Sequence, residues 1–297
     1  MRFSKIKLGG VKLAGLAAAP VGAAAADDAS ANDVTVSTAT TNPLLTSAPD
    51  GASPGDVTIT SAGSIAVTAG QTAMTVDSNN DVSNAGTLSS NNANNSTGIL
   101  LQGGFAGPQV ITNSGTISLL EDYTLADTDS DGDLDGTFAT GTNRHGIRLG
   151  AGAAFNGDIV NSGTISIEGN NSAAIRLDAQ LNGDLTSSGA MSVIGDNSSA
   201  FAILGGPSAG VTGDVFLRGN VTARGTGVRG LAVEAPIGGQ LRINGGWSIT
   251  GYHNTVRTTS TTLDADDLQQ SGAAIDIRSS VAGGVTIEGI GVEDDLD

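Results

Sequence analysis

The stretch Asp158-Ile159-Val160-Asn161-Ser162-Gly163-Thr164-Ile165-Ser166-Ile167 decides how the rest of the chain is read. It recurs as Val110-Ile111-Thr112-Asn113-Ser114-Gly115-Thr116-Ile117-Ser118, and again as Val82-Ser83-Asn84-Ala85-Gly86-Thr87-Leu88-Ser89. Looser copies begin at Leu185, Val215 and Leu241, with Gly189, Gly219 and Gly245 at the matching place, and Ile59 and Val285 add one at each end. The anchors Ile59, Val82, Ile111, Ile159, Leu185, Val215, Leu241 and Val285 are separated by 23, 29, 48, 26, 30, 26 and 44 residues. Taking about 22 and about 18 inserted residues out of the two long intervals returns both to the period of the others.

Two further apolar columns keep the same register. One follows each copy: Met74/Val76, Ile99/Leu101, Ile147/Leu149, Ile175/Leu177, Phe201/Ile203, Leu231/Val233 and Ile275/Ile277. The other precedes it, at Phe155, Leu181, Val211, Ile237 and Val281, each followed two residues later by Gly157, Gly183, Gly213, Gly239 or Gly283. Apolar residues two apart bury one strand face and leave Ser, Thr or Asn on the other. Coils of this length, with short strands and Gly at the corners, predict an all-β fold: a right-handed parallel β-helix of about eight coils stacked about 4.8 Å apart. Gly is expected to supply positive-φ corners. Asn84, Asn113 and Asn161 are expected to face inward on successive coils, their amides bonded to one another along the axis.

Composition agrees with a solenoid and excludes other classes. Gly numbers 44 of 297 residues, only 14% of residues are charged, and Cys is absent. No run of about 20 apolar residues could form a spanning helix. Acids outnumber bases 30 to 13, which argues against a nucleic-acid partner, since phosphate binding needs basic patches. The charge is uneven: Asp27 to Asn143 holds 14 acids and no base, whereas Arg144 onward holds 16 acids and nine Arg. Residues 1–26 carry Arg2, Lys5, Lys7 and Lys12, an Ala-rich apolar run, and small residues at Ala24 and Ala26, the pattern of an export signal. Residues 27–55, with Pro43, Pro49 and Pro54, read as a flexible or capping lead-in, and residues 56–297 as the β-helix.

Both inserts leave the same corner of the coil, at about 120–144 and 252–270, so they should project from one side. The first contains Asp127-Thr128-Asp129-Ser130-Asp131-Gly132-Asp133-Leu134-Asp135. Alternating carboxylates before Gly match the first half of a calcium loop, with Asp127, Asp129 and Asp131 as side-chain ligands. In that reading Asp133 offers its carbonyl and Asp135 ligates directly or through water, while Phe138 stands where a bidentate Glu would be. His145 and His253 lie in or beside the inserts and read as exposed loop residues. Gly51-Ala52-Ser53-Pro54-Gly55 and Gly225-Thr226-Gly227-Val228-Arg229-Gly230 spell nucleophile-elbow and dinucleotide motifs, but neither has the strand-to-helix context those require. No catalytic residue is assigned. Arg218 and Arg242 fall on outward positions of neighbouring coils, and Arg148 and Arg176 at one stacked outward position.

The leader, the Cys-free chain and the Asn-Ser-Gly-Thr-Ile repeats over about residues 60–290 resemble the passenger region of bacterial autotransporters of the alphaproteobacterial kind. That resemblance implies secretion through an outer-membrane β-barrel translocator and display at the cell surface as a stalk or adhesin. Glu293-Asp294-Asp295-Leu296-Asp297 lacks the strands of a barrel, so the expectation is either an N-terminal fragment with the barrel downstream or a passenger whose translocator lies elsewhere. The sequence therefore predicts an exported surface protein, not an enzyme, that binds a cell-surface or glycan ligand through its side loops. Its rival is a secreted β-helical polysaccharide-degrading enzyme, which should gather acids and Arg on one outward strand face beside the long loops.

Overall fold

A computed structural model describes residues 32–128, 130, 134–252, 265 and 268–288. The repeat unit is a corner with a strand on each side. Phe155–Asn161 lies in one sheet, the chain turns at Ser162-Gly163, and Thr164–Glu168 lies in the next. A third strand, here Ala173–Leu177, completes the coil. Every pairing between named strands is parallel and joins one coil to its neighbour, so the fold is a three-sided parallel β-helix. The second and third sheets each have eight strands, and the first runs through Val34–Val36, Val57–Ile59, Val82–Asn84, Gln109–Asn113, Phe155–Asn161, Leu185–Ser187, Val215–Leu217, Leu241–Asn244 and Val285–Glu288. Among the described residues there is no α-helix, only a 3-10 turn at Gly206–Ser208, and no helix long and apolar enough to cross a membrane.

Part of the expected lead-in is a coil. Val34–Val36, Ala39–Thr40 and Leu44–Leu45 supply the first strand of each sheet, so this stretch covers the coil that follows it. The first anchor also moves. Val57, not Ile59, pairs with Val82, while Ile59 pairs with Asn84. The leader, His253, Asp129, Asp131, Asp133 and the chain after Glu288 lie outside the described residues.

The core is the stack of inward columns. Ile65, Leu88, Ile117, Ile165, Met191 and Val221 succeed one another in the second sheet, all buried, and Trp247 continues the column. Trp247 stacks on Phe201 of the third sheet with ring centroids 5.9 Å apart. Burying such side chains on every coil supplies the apolar contribution that a chain without disulfides needs.

One inward column of the first sheet changes character along the axis: Ile59, Asn84, Asn113, Asn161, Ser187, Leu217 and Ile243. The polar members carry one another, as the repeat implied. Asn84 Nδ2 donates to Asn113 Oδ1 at 2.7 Å, Asn113 Nδ2 to Asn161 Oδ1 at 2.7 Å, and Asn161 Nδ2 to Ser187 Oγ at 3.1 Å. All three Asn are 0% exposed, and Gly86 N caps the free end by donating to Asn84 Oδ1. Every link therefore replaces water with an equivalent partner, so burial leaves these amides satisfied.

At the corner between first and second sheets the repeated Gly answers mainly to crowding, and only Gly245 among the six copies named has a positive φ, 142°. Gly86, Gly115, Gly163, Gly189 and Gly219 all lie outside the left-handed region. A Cβ on Gly163 would stand 2.0 Å from the carbonyl oxygen of Gly115, and one on Gly189 only 1.7 Å from that of Gly163. The turns stack backbone on backbone. Positive φ occurs at the corner between second and third sheets, where Gly169, Gly195 and Gly225, with φ of 155°, 144° and 150°, meet the expectation. Asn95, Asn143, Asn171 and Asn197 join them there in the left-handed region, with φ of 56°, 56°, 53° and 54°.

A column of Asp accounts for acids scattered along the chain. The Oδ1 atoms of Asp33, Asp56 and Asp81 accept the backbone N–H of Asp56, Asp81 and Val110 on the next coil. Those of Asp158, Asp184 and Asp214 likewise accept from Asp184, Asp214 and Gln240.

Candidate functional site

Both inserts depart from the corner between second and third sheets, as their positions in the repeat required. The first separates Thr116–Leu120 from His145–Leu149, and the second separates Trp247–Thr250 from Ile275–Ile277. The first rejoins the coil in register, because Thr142 bridges Asn170 and Asn143 takes the left-handed corner above Asn171.

Its base is closed by a buried ion pair. Arg144 and Glu121, 1% and 4% exposed, meet at 3.3 Å. Arg144 also donates through Nε to the carbonyl of Ala93 and through Nη1 to that of Glu168. Glu121 accepts from the backbone of Thr140 and of Gly141, each at 2.7 Å. Each charge thus has several partners besides its opposite, the condition under which a buried pair is tolerated. The insert is held at its neck, whatever its tip does. Phe138, the residue that takes the place of a calcium-loop Glu, is buried.

Of the expected calcium ligands, Asp127 and Asp135 are described. Asp127 Oδ1 accepts from Ser130 N at 2.6 Å, and Asp135 Oδ2 accepts from the Thr128 hydroxyl at 2.7 Å and from its N–H. Ala126 and Asp135 form an antiparallel bridge that pinches the stretch into a loop. Among the described residues no three acidic or imidazole groups converge on one point.

The third sheet, which the two inserts flank, gathers charge on its outward face. Arg148 and Arg176 occupy one stacked position, as read from the repeat. Asp178 joins them: Arg148 Nε and Nη2 each reach its Oδ2 at 2.9 Å, and Arg176 Nε reaches Oδ1 at 2.8 Å. Farther along, Arg229 meets Glu234 at 3.4 Å and Asp276 at 3.7 Å, and Arg278 meets Asp276 at 2.8 Å. The other outward pair is not stacked. Arg242 pairs with Phe216 and holds Glu288 through two nitrogens, while Arg218 lies over the Phe216 ring at 5.5 Å.

Beside Arg148 and Arg176 lies a cleft of about 310 Å³ lined by Asn95, Thr97, Asn143, His145 and Asn171 as well as the two Arg. It runs into a second cleft of about 200 Å³ that shares Asn171 and Arg176 and extends past Asn197, Ser199 and Arg229. The floor is low because the column opening each third-sheet strand holds Thr97, His145, Ala173 and Ser199, mostly small residues.

No family model matches the chain, and no curated protein or solved structure does either. The site is therefore judged on its own chemistry.

His145 corrects an expectation. It is not an exposed loop residue but the first residue of a strand, 5% exposed. Burial, with the charges of Arg148 and Arg176 adding to it, depresses its pKa to about 3. The imidazole is therefore neutral at ordinary pH, and Nδ1 is buried without a hydrogen-bond partner.

Sequence reading also missed the outward Asn column. Asn95, Asn143, Asn171 and Asn197 each stand two residues before the third strand of their coil, an offset as regular as the apolar columns. All four are exposed, and only Asn143 Nδ2 to Asn95 Oδ1, at 3.1 Å, links their side chains. The amides of Asn171 and Asn197 make no side-chain hydrogen bond among the described residues.

Proposed function

We propose that this is an exported surface protein, the passenger of an autotransporter, in which the β-helix serves as a stalk and the corner bearing the two inserts is an adhesive face. One observation carries the proposal: both inserts border the same outward sheet, and that sheet bears the paired Arg residues and the clefts. The inserts also present apolar side chains to solvent, Tyr123 and Leu134 on the first and Leu268 on the second, at 39%, 43% and 55% exposure. Apolar anchors beside a polar groove suit a contact surface. Display is tested by protease shaving of intact cells, with the processed chain beginning at Asp27. A chain that stays in the cytoplasm with Met1 intact contradicts the reading.

In the same reading the Asp127–Asp135 loop takes a calcium ion at the tip of the first insert. Asp127, Asp129 and Asp131 would offer side-chain oxygens, Asp133 its carbonyl and Asp135 a further oxygen. Calorimetric titration with calcium, of the parent and of Asp129→Ala and Asp131→Ala, tests it. Absence of heat in the parent at millimolar calcium removes the ion.

A second reading, a polysaccharide-degrading enzyme, draws support from the same gathering of Arg and acids on one outward face beside the inserts. Against it, the acids are committed. Asp178 lies between two guanidinium groups, and Asp276 and Glu234 are held by Arg229 or Arg278. Acid–base cleavage of a glycosidic bond needs a carboxyl group free to give up and regain a proton. Release of reducing ends or unsaturated products from polysaccharides by the purified chain would favour the enzyme.

A further inference from the structure

The cleft beside Arg148 differs in charge from the rest of the molecule, while the cleft that continues it past Asn197 adds Arg229 and its partner Glu234. The chain carries a formal charge of −17, yet the cleft beside Arg148 is lined by two Arg, three Asn, Thr97 and His145, with no carboxylate in its wall. Asp178 cancels only one of the two guanidinium charges and is itself 10% exposed, beneath the Arg side chains. His145 adds no charge, being neutral. A net positive charge therefore faces solvent within a groove.

The donors are also unspent. Arg176 contacts Asp178 through Nε alone, and both of its Nη groups make no bond among the described residues. Arg148 Nη1 is equally free there. Beside them stand the amides of Asn171 and Asn197, each able to donate and to accept. A guanidinium edge recognises a planar carboxylate or a sulfate, while exposed amides and hydroxyls suit a partner rich in vicinal hydroxyls. The lining offers no aromatic platform for nucleic-acid bases and no apolar pocket for a peptide side chain. The groove runs along the helix axis, so equivalent Asn positions recur at each coil, about 4.8 Å apart. That recurrence suits a ligand that is itself a repeat of similar length.

We propose that the groove formed by Asn143, Arg148, Asn171, Arg176 and Asn197 binds an acidic oligosaccharide, the acidic group held by the free guanidinium edges and the ring hydroxyls by the Asn amides. The proposal rests on the adhesive reading and names the ligand class of that face.

Calorimetric titration of the purified chain tests it, with an oligogalacturonate as the carboxylated probe, a heparin-derived oligomer as the sulfated one, and carboxyl-reduced oligogalacturonate as the neutral control. Either acidic probe should bind at least tenfold more tightly than the neutral oligomer, and the one preferred identifies the acidic group. Raising salt from 20 to 200 mM should weaken binding severalfold. Arg176→Gln should lose tenfold or more and Arg176→Lys less, while Asn171→Gly, which removes the amide but keeps a residue that tolerates the positive φ there, as Gly227 does on a later coil, should lose several-fold with an unchanged unfolding curve. Binding of neither acidic probe, or equal binding of the neutral oligomer, overturns the proposal. So does an unaltered affinity in both Arg176→Gln and Asn171→Gly. Surface display with adhesion to cells but no acidic-sugar binding would discard the ligand class alone, whereas loss of display would remove the adhesive reading itself.

Discussion

The molecule contains two stacks of Asn, and they have opposite fates. Asn84, Asn113 and Asn161 stand inside the first sheet, fully buried, each amide spoken for by its neighbour. Asn95, Asn143, Asn171 and Asn197 stand outside, at the entrance to the third sheet, with a single side-chain link among them. Residue type and coil spacing are the same in both. What differs is hydrogen-bond saturation. The inner stack has no capacity left for a ligand and serves stability, while the outer one keeps its capacity and costs little to keep, since water satisfies it.

The largest expected effect lies beneath the outer stack. Arg144→Ala strips Glu121 of its buried counter-charge and should destabilise by about 3–5 kcal/mol, read as a lower urea midpoint by circular dichroism. Faster proteolysis of the first insert should accompany it, because Glu121 and Arg144 close its neck. An unchanged midpoint would mean that the neck is not held by the pair.

Next comes the inner stack. Asn113→Ala leaves Asn84 Nδ2 and Asn161 Oδ1 buried without the Asn113 amide that each of them bonds, a loss of about 3 kcal/mol if each orphaned group costs what such groups usually do. Gly163→Ala should cost about 2 kcal/mol or more, because its Cβ would meet the Gly115 carbonyl 2.0 Å away, and backbone cannot move aside as a side chain can.

His145 gives a pH-dependent effect. Unfolded, it takes up a proton near its ordinary pKa of about 6.5, but folded only near about 3. Between those values the unfolded chain binds more protons, so stability falls as pH falls, by up to about 1.4 kcal/mol per pH unit. His145→Thr, which copies Thr97 on the preceding coil, should remove that slope relative to the parent between pH 4 and 6. Parallel curves for parent and variant would contradict the buried neutral imidazole. The smallest effect belongs to the outer stack: Asn171→Gly, which keeps the positive φ of that corner accessible, should change stability by less than about 0.5 kcal/mol.

How much of this could be read from the sequence depends on where the information was periodic. The inward columns, the Asn84–Asn113–Asn161 ladder and the shared corner of the inserts were legible, because a one-dimensional repeat maps sequence offset directly onto coil position. Ile59 was placed two residues out, since Val57 and Ile59 both face inward and only pairing distinguishes them. The expected positive φ holds for Gly169, Gly195 and Gly225 at one corner but not for most of the repeated Gly at the other, because a turn that needs positive φ and a turn packed against its own copy both select Gly. His145 could not be placed from local pattern, since it resumes the coil directly after an insert. The outer Asn column was equally periodic, but polar residues at a turn look like any solvated loop. Charge counting also led away from the site: the acids draw attention to Asp127–Asp135, whereas the groove depends on where two of the nine Arg from Arg144 onward fall.

The contrast between the two stacks is tested most directly by measuring Asn113→Ala and Asn171→Gly side by side, for urea midpoint and for oligogalacturonate or heparin-oligomer affinity. The inner change should lower the midpoint and leave the affinity of the folded protein unaltered, while the outer change should weaken binding and leave the midpoint in place. Both variants shifting stability alike, with neither altering affinity, would contradict the division between a saturated inner column and an available outer one.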